Sequence, residues 1–273
     1  MVSLSIVARQ SFPGRTGDGW RNIRRRMRNG YIRKLNYGAT GLIKTVLGKV
    51  KRKAKQLADD FSKERKAAGK VKYFCVGRNK TGTTSLKSAF EALDYPVGNQ
   101  RKAEVLTGKH YFEGNFQPIV DYCKSAQVFQ DVPFSYPKTY KHLDKAYPGS
   151  KFILTVRDSP EQWYSSITRF HAKMFGKDGR TPTVEDLKAA QYVWLGFMYN
   201  VVRVHGTTDE DPYNKETMIA HYDQYNREVM AYFKDRPEDL LVINVAEQGA
   251  YQKFVKFLGV DSPFDDFPWE NRT

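Results

Sequence analysis

Residues 72–86 place the tightest limit on how this chain can fold. They read KYFCVGRNKTGTTSL, an apolar stretch suited to a strand, then a tight loop, then the start of a helix. In that order, loop N–H groups and the positive end of the helix dipole point at one place, which favours a bound phosphate. Gly77 and Gly82 permit close backbone approach. Lys80 can add a positive charge, and the threonines that follow it can add hydroxyl donors.

The loop departs from the common nucleotide-binding pattern, in which a Gly is followed after four residues by Gly-Lys and then Ser or Thr. Gly77 and Gly82 keep that spacing, but Thr83 occupies the Lys position, and Lys80 precedes the second Gly by two residues. A plain surface loop with chance Gly and Lys residues is the alternative interpretation. The coincidence of strand, loop and helix signals favours a phosphate site.

A second segment, residues 151–166, reads KFILTVRDSPEQWYSS. It begins as an apolar strand that ends at Arg157, and Pro160 stands where a helix would begin. Ser165 follows Arg157 by eight residues. The segment therefore predicts an arginine at a strand end and a serine on the next helix.

Together and in this order, the two segments resemble the 5′-phosphosulfate loop and the 3′-phosphate motif of sulfotransferases that use 3′-phosphoadenosine 5′-phosphosulfate (PAPS). The resemblance runs from residue 71 to the C-terminus and is weak between the two segments. It implies an α/β fold of the P-loop NTPase-like type, with three layers and a central parallel sheet. It also implies PAPS as the donor, the desulfated product PAP, and no metal.

The resemblance further implies roles for single residues. Lys80 would stabilise charge that builds on the leaving phosphate, and Arg157 and Ser165 would hold the 3′-phosphate. Arg78 is as readily interpreted as an outward-pointing loop arginine as a phosphate contact. The residues predicted to contact the donor are Arg78, Asn79, Lys80, Thr81, Gly82, Thr83, Thr84, Ser85, Arg157 and Ser165.

The general base is predicted to be Asp131, which ends an apolar stretch and precedes Val132-Pro133. In cytosolic sulfotransferases the base is a His followed by Leu-Pro, so this chain departs from the family at a similar place. A carboxylate can take a proton, although an Asp there can also simply cap a turn. Glu113 and His110 are the alternatives for the base.

Strand and helix signals alternate along residues 71–273, which predicts a parallel sheet with helices on both faces. Ligands of such sheets bind beyond the carboxyl ends of the strands, where both phosphate segments fall. The predicted strands are Lys72–Gly77, Gln127–Val132, Lys151–Arg157 and Leu240–Val245. The predicted helices are Thr83–Leu93, Pro118–Lys124, Pro137–Ala146, Pro160–Phe170, Val184–His205, Lys215–Phe233 and Tyr251–Leu258.

The charge of the chain is concentrated at one end. Residues 1–70 hold 19 of the 45 Lys and Arg but only 4 of the 30 Asp and Glu, so they carry the whole formal charge of +15. The chain is therefore interpreted as a basic N-terminal extension, 1–70, followed by the sulfotransferase-like domain, 71–273. Within the extension, residues 11–37 suggest an arm and residues 41–68 a basic helix. That helix either docks by its apolar stripe or binds an anionic surface or polymer; no nucleic-acid module is evident.

Cysteine, histidine and hydropathy patterns point to a protein without disulfides, metal or membrane spans. Two cysteines, Cys75 and Cys123, and five scattered histidines give neither a disulfide framework nor metal-ligand spacing. No apolar run approaches the roughly 18 residues that a spanning helix needs, and the N-terminus lacks the features of a secretory signal. The expected location is cytoplasmic, with peripheral membrane contact through the extension as a further option.

The predicted function is sulfuryl transfer from PAPS to a hydroxyl or amine of an acceptor whose class the sequence leaves open. A nucleotide or small-molecule kinase would share the fold, but its Lys should follow the second Gly. A non-catalytic protein that binds anionic polymers through the extension is the other alternative. The joint presence of Lys80, Arg157 and Ser165 favours the sulfotransferase.

Overall fold

The computed structural model describes residues 47–268. The predicted arm at residues 11–37 and the first residues of the predicted basic helix lie outside the described residues. Contacts divide the chain into a unit that ends at residue 58 and one that begins at residue 59, whereas the sequence predicted a boundary after residue 70. Residues 59–67 join the second unit through an ion pair from Asp60 to Lys102 and a hydrogen bond from Lys63 to the Val97 carbonyl.

Four parallel strands form one sheet: β1 (Tyr73–Cys75), β2 (Val128–Phe129), β3 (Lys151–Thr155) and β4 (Leu240–Ile243). Their order across the sheet is β2-β1-β3-β4. Tyr73 of β1 pairs with Val128 of β2 and with Lys151 of β3, and Phe152 of β3 pairs with Leu240 of β4. All four lie within the predicted strands, and the predicted parallel α/β fold is confirmed.

Ten α-helices surround this sheet or precede it in the described part of the chain. The first, α1, occupies residues 47–67, and its apolar side chains Leu47, Val50, Leu57 and Phe61 are exposed. The others are α2 (Thr83–Ala92), α3 (Gln100–Lys109), α4 (Gln117–Tyr122), α5 (Thr139–Ala146), α6 (Pro160–Phe175), α7 (Val184–Ala189), α8 (Asn200–His205), α9 (Lys215–Tyr232) and α10 (Ala250–Leu258). No helix among residues 47–268 is both long and apolar enough to cross a bilayer.

The strands are apolar except for Lys151 and Thr155 of β3, because helices pack on both faces of the sheet. Successive strand side chains point to opposite faces, so Tyr73 and Cys75 pack with α2 and α10, while Phe74 and Val76 pack with α4, α5 and α9. These two cores give the three layers that the sequence predicted. A third core of α6, α7, α8 and α9 surrounds the fully buried Trp163.

One helix prediction was wrong, and one helix was missed. The helix predicted over Val184–His205 is broken into α7 and α8: α7 ends at Ala189 because Ala190 is extended, and a short 3-10 turn after Gly196, whose φ is 80°, precedes α8. Helix α3 was not predicted at all. Of its buried side chains only Ala103 is apolar, so it lacks the apolar period from which a helix is predicted.

Candidate active site

The loop between β1 and α2 lies so close to neighbouring strands that two of its positions need glycine. A β-carbon on Gly77 would lie 2.0 Å from Oγ1 of Thr155, at the end of β3. A β-carbon on Gly82, whose φ is 98°, would lie 2.3 Å from Cγ2 of Val245. The glycine spacing that the sequence showed therefore follows from packing of the loop against β3 and the segment after β4.

Hydrogen bonds from the second motif hold the carbonyl groups of this loop. Arg157 Nε donates to the Lys80 carbonyl at 2.7 Å, and Trp163 Nε1 donates to the Asn79 carbonyl at 3.0 Å. Inside the loop, the buried Thr81 hydroxyl donates to the Arg78 carbonyl at 2.6 Å. The two segments recognised in the sequence are thus in direct contact.

The start of α2 offers unpaired donors to this site. The first N–H groups of a helix have no partner within the helix, and Gly82, at the capping position, has no side chain to satisfy them. Thr84 is exposed and Ser85 half-buried in that first turn, whereas Thr83 is buried. The helix start and its dipole can therefore hold an anion.

Lys80 is half-buried and adopts a left-handed backbone conformation with φ of 69°. Its Nζ lies 4.2 Å from the centre of the Phe170 ring on α6. Burial and the neighbouring charge of Arg157 lower the pKa of Lys80, and Asp131 partly opposes that shift. The ammonium group therefore lies in a positive, partly desolvated place that an anion would stabilise.

Arg157 and Ser165 differ in how firmly the fold holds them. The backbone N–H of Arg157 donates to the Tyr222 hydroxyl at 3.1 Å, and burial lowers the pKa of its guanidinium group. Ser165 lies on an exposed part of α6, one turn before Arg169 and next to the buried Ser166. Arg157 is therefore fixed against the loop, while Ser165 faces solvent.

Asp131 lies against the loop at the carboxyl end of β2. Its Oδ1 accepts hydrogen bonds from the Val132 N–H at 2.8 Å and from the Asn79 side-chain amide. Burial raises the pKa of this carboxyl, and the nearby charges of Arg78 and Lys80 oppose the rise. Asp131 is thus joined through Asn79 to the loop of residues 76–82, hereafter the phosphate loop.

The two alternatives for the base lie elsewhere. Glu113 is exposed on a 3-10 turn, Tyr111–Glu113, and His110 ends α3. Another carboxylate, which the sequence did not single out, lies close enough to Asp131 for the two charges to repel each other. Glu104 on α3 is buried, accepts a hydrogen bond from the Tyr192 hydroxyl at 3.1 Å, and its pKa is raised by burial and by the charge of Asp131.

Arg78 points into the core beneath the loop, with 1% of its surface exposed. Its Nη1 donates to the Ser135 carbonyl at 2.6 Å, and its Nη2 lies 3.0 Å from Nε2 of His205. The rings of Tyr136 and Tyr225 flank the guanidinium group, with their centres 5.5 and 5.4 Å away. Arg78 is therefore buried and is not the outward-pointing loop arginine that the sequence also allowed.

Three histidines that are scattered in the sequence come together beside Arg78 and Lys80. The ring centres of His205 and His221 are 5.1 Å apart, and Nδ1 of His171 lies 2.9 Å from the Tyr213 hydroxyl. Nδ1 of His205 lies 2.9 Å from the Val201 carbonyl and must donate to it, so Nε2 can accept from Arg78. Their spacing in the sequence gave no signal of this cluster.

These histidines are held neutral. Burial and the charge of Lys80 lower the pKa of His171 to about 4, and burial and the charge of Arg78 lower that of His221 to about 3. The pKa of His205 is lowered in the same direction by burial and by Arg78. Among residues 47–268, no group of three or more His, Cys, Asp or Glu side chains is arranged to hold a metal ion.

Comparison with known protein families gives one match. A family model described as a sulfotransferase domain matches residues 72–273, which include the phosphate loop, the second motif and Asp131. No curated protein matches the chain.

The buried histidines predict a loss of stability in weak acid. A histidine whose pKa is lowered by folding stabilises the native state above the unfolded value of about 6.5 and loses that contribution as the pH falls. We expect the free energy of unfolding, measured with denaturant, to fall between pH 7.5 and 5 by roughly 2 kcal/mol for each histidine. The variant His221→Phe should fall less steeply. An equal slope for wild type and variant would contradict this assignment.

Proposed function

Because the chain belongs to the sulfotransferase family, whose domain spans residues 72–273, we propose that it transfers the sulfuryl group of PAPS to a hydroxyl or amine of an acceptor. The observation that carries this proposal is the hydrogen bond from Arg157 Nε to the Lys80 carbonyl. It joins the residue expected to hold the 3′-phosphate to the loop expected to hold the 5′-phosphosulfate. A nucleotide with phosphates at both positions would contact both segments.

The residues present fit such a donor. The start of α2 offers N–H groups and hydroxyls without a capping side chain, and Thr84 in its first turn is exposed. Lys80 and Arg157 add two positive charges that repel each other, since the charge of Arg157 lowers the pKa of Lys80. A bound anion would relieve this repulsion. PAPS, as the donor substrate, supplies the sulfuryl group and a phosphate leaving group.

The chain's own side chains would divide the chemistry between them. Lys80 would stabilise negative charge on the oxygen that leaves with PAP, in a partly desolvated place where such a contact is strong. Asp131 would accept the proton of the acceptor as its oxygen or nitrogen bonds to sulfur. Asn79 donates to the Asp131 carboxylate and lies in the loop, so it would keep the base and the donor in register.

The donor can be tested by thermal unfolding of the full chain with nucleotides. PAP should raise the melting temperature, because a ligand selective for the native state adds about 2.7 kcal/mol at 100 times its Kd. Adenosine 5′-monophosphate, which lacks only the 3′-phosphate, is the matched control and should stabilise less, as should ATP with Mg²⁺. Equal stabilisation by PAP and by either control would sink the proposed donor.

Lys80 and Arg157 should separate turnover from binding. Lys80→Ala should lower turnover by about 100-fold or more, the usual loss of one electrostatic contact to the transition state. Arg157→Ala should instead weaken PAP binding by roughly 2–3 kcal/mol. Arg157→Lys keeps the charge but not the Nε contact to the Lys80 carbonyl, so its affinity for PAP should lie between those of the wild type and Arg157→Ala. Near-normal turnover in Lys80→Ala, with PAP affinity and activity measured on the same preparations, would contradict its role.

Asp131→Asn should retain PAP binding and lose most turnover. The amide keeps an oxygen that can accept from Val132 and Asn79, but it cannot take a proton. In the wild type, activity should fall as the pH drops through the pKa of Asp131, above the ordinary aspartate value of about 3.9, because burial raises it. Glu113→Gln and His110→Gln are the controls. Full activity of Asp131→Asn together with a loss in either control would move the base to that residue.

A further inference from the structure

A cavity of about 440 Å³ lies between the C-terminal half of α3 and residues 194–203. Its volume falls within the range of about 300–1,000 Å³ that is usual for small-molecule sites. None of its lining residues belongs to the phosphate loop or to the second motif, and none of them is acidic. It is therefore a separate place on the molecule with its own chemistry.

One wall of the cavity is an indole ring held against a helix. A β-carbon on Gly108 of α3 would lie 2.2 Å from Cζ2 of Trp194, so only glycine allows the ring to lie there. Trp194 also packs edge-to-face with Phe197, with ring centres 4.8 Å apart and planes at 80°. The indole thus presents a fixed aromatic surface to the cavity.

A polar side chain without a full set of partners also lines the cavity. Asn200 is 6% exposed, and its Oδ1 lies 3.5 Å from Nη1 of Arg203. Its Nδ2 is buried and has no hydrogen-bond partner in the described part of the chain. A buried donor without a partner is unfavourable, so this group indicates an acceptor that the ligand would supply.

Positive charge surrounds that donor. The Arg203 guanidinium lies 3.6 Å from the centre of the Phe112 ring, which fixes its position, and the exposed Lys109 lines the same cavity. The Tyr199 hydroxyl donates to Oδ1 of Asp209 at 2.6 Å, and that carboxylate is also paired with Lys188. The carboxylate that contacts Tyr199 is therefore paired with a lysine.

We propose that this cavity binds an aromatic anion, such as an aryl carboxylate, sulfonate or phosphate. The ring of the ligand packs against Trp194, and its anionic group accepts hydrogen bonds from Asn200 Nδ2 and Arg203, with Lys109 adding charge. The proposal does not depend on the identity of the sulfuryl donor, because the cavity and the phosphate loop share no residue.

The test uses the full chain and naphthalene-2-sulfonate as the probe, with binding measured by calorimetry and by quenching of Trp fluorescence. We expect saturable binding at one site, and weaker binding of the neutral naphthalene-2-sulfonamide, which has nearly the same shape. Arg203→Gln should weaken binding of the probe by about tenfold or more, the usual range for loss of a charge-assisted hydrogen bond. Asn200→Asp should do the same, since it keeps the acceptor for Arg203 but replaces the free donor with a negative charge.

Two controls separate this site from the phosphate loop. Lys256→Gln removes one positive charge from the exposed face of α10 and should leave probe affinity unchanged. Lys80→Ala should also bind the probe as tightly as the wild type, whatever the outcome for the donor. Weaker probe binding in Lys80→Ala would overturn the proposal, as would unchanged affinity in folded Asn200→Asp or Arg203→Gln.

Discussion

The hydrogen bonds from Arg157 and Trp163 to the loop carbonyls are the contacts on which the rest of the site depends. In a trans peptide the carbonyl and the following N–H point in opposite directions. When the carbonyls of Asn79 and Lys80 are held toward β3 and α6, the next N–H groups face the other way. These contacts therefore turn the loop N–H groups away from β3 and α6, which is the arrangement that the proposed phosphate site requires.

The same region concentrates positive charge. Arg78 and Lys80 belong to the loop, and Arg157 contacts it. The negative charge of Asp131 stabilises the charged forms of both Arg78 and Lys80. Burying a charge without a partner is costly, and Arg78 is held by a carbonyl, a neutral histidine and two aromatic rings. The three neutral histidines around it avoid adding more charge to this centre.

The sequence predicted those elements whose structure is determined by their own neighbouring residues. Both phosphate segments were recognisable because a strand, a special turn and a helix start follow one another within 15 or 16 residues. Helix α3 was missed because tertiary contacts, and not an apolar period, hold it. The inward direction of Arg78 and the meeting of His171, His205 and His221 depend on contacts between segments far apart in the chain, which no local pattern records. The roles of Lys80, Asp131 and Ser165 stay predictions.

Helix α6 joins many of these contacts in one rigid element. Trp163 donates to a loop carbonyl, Ser165 is exposed on the same helix, and the Phe170 ring lies against the Lys80 ammonium group. A shift of this helix would displace the Asn79 carbonyl, the surroundings of the Lys80 ammonium group and Ser165 together. A substitution that moves α6 would therefore change these three positions at once, so this side of the loop can vary only as a unit.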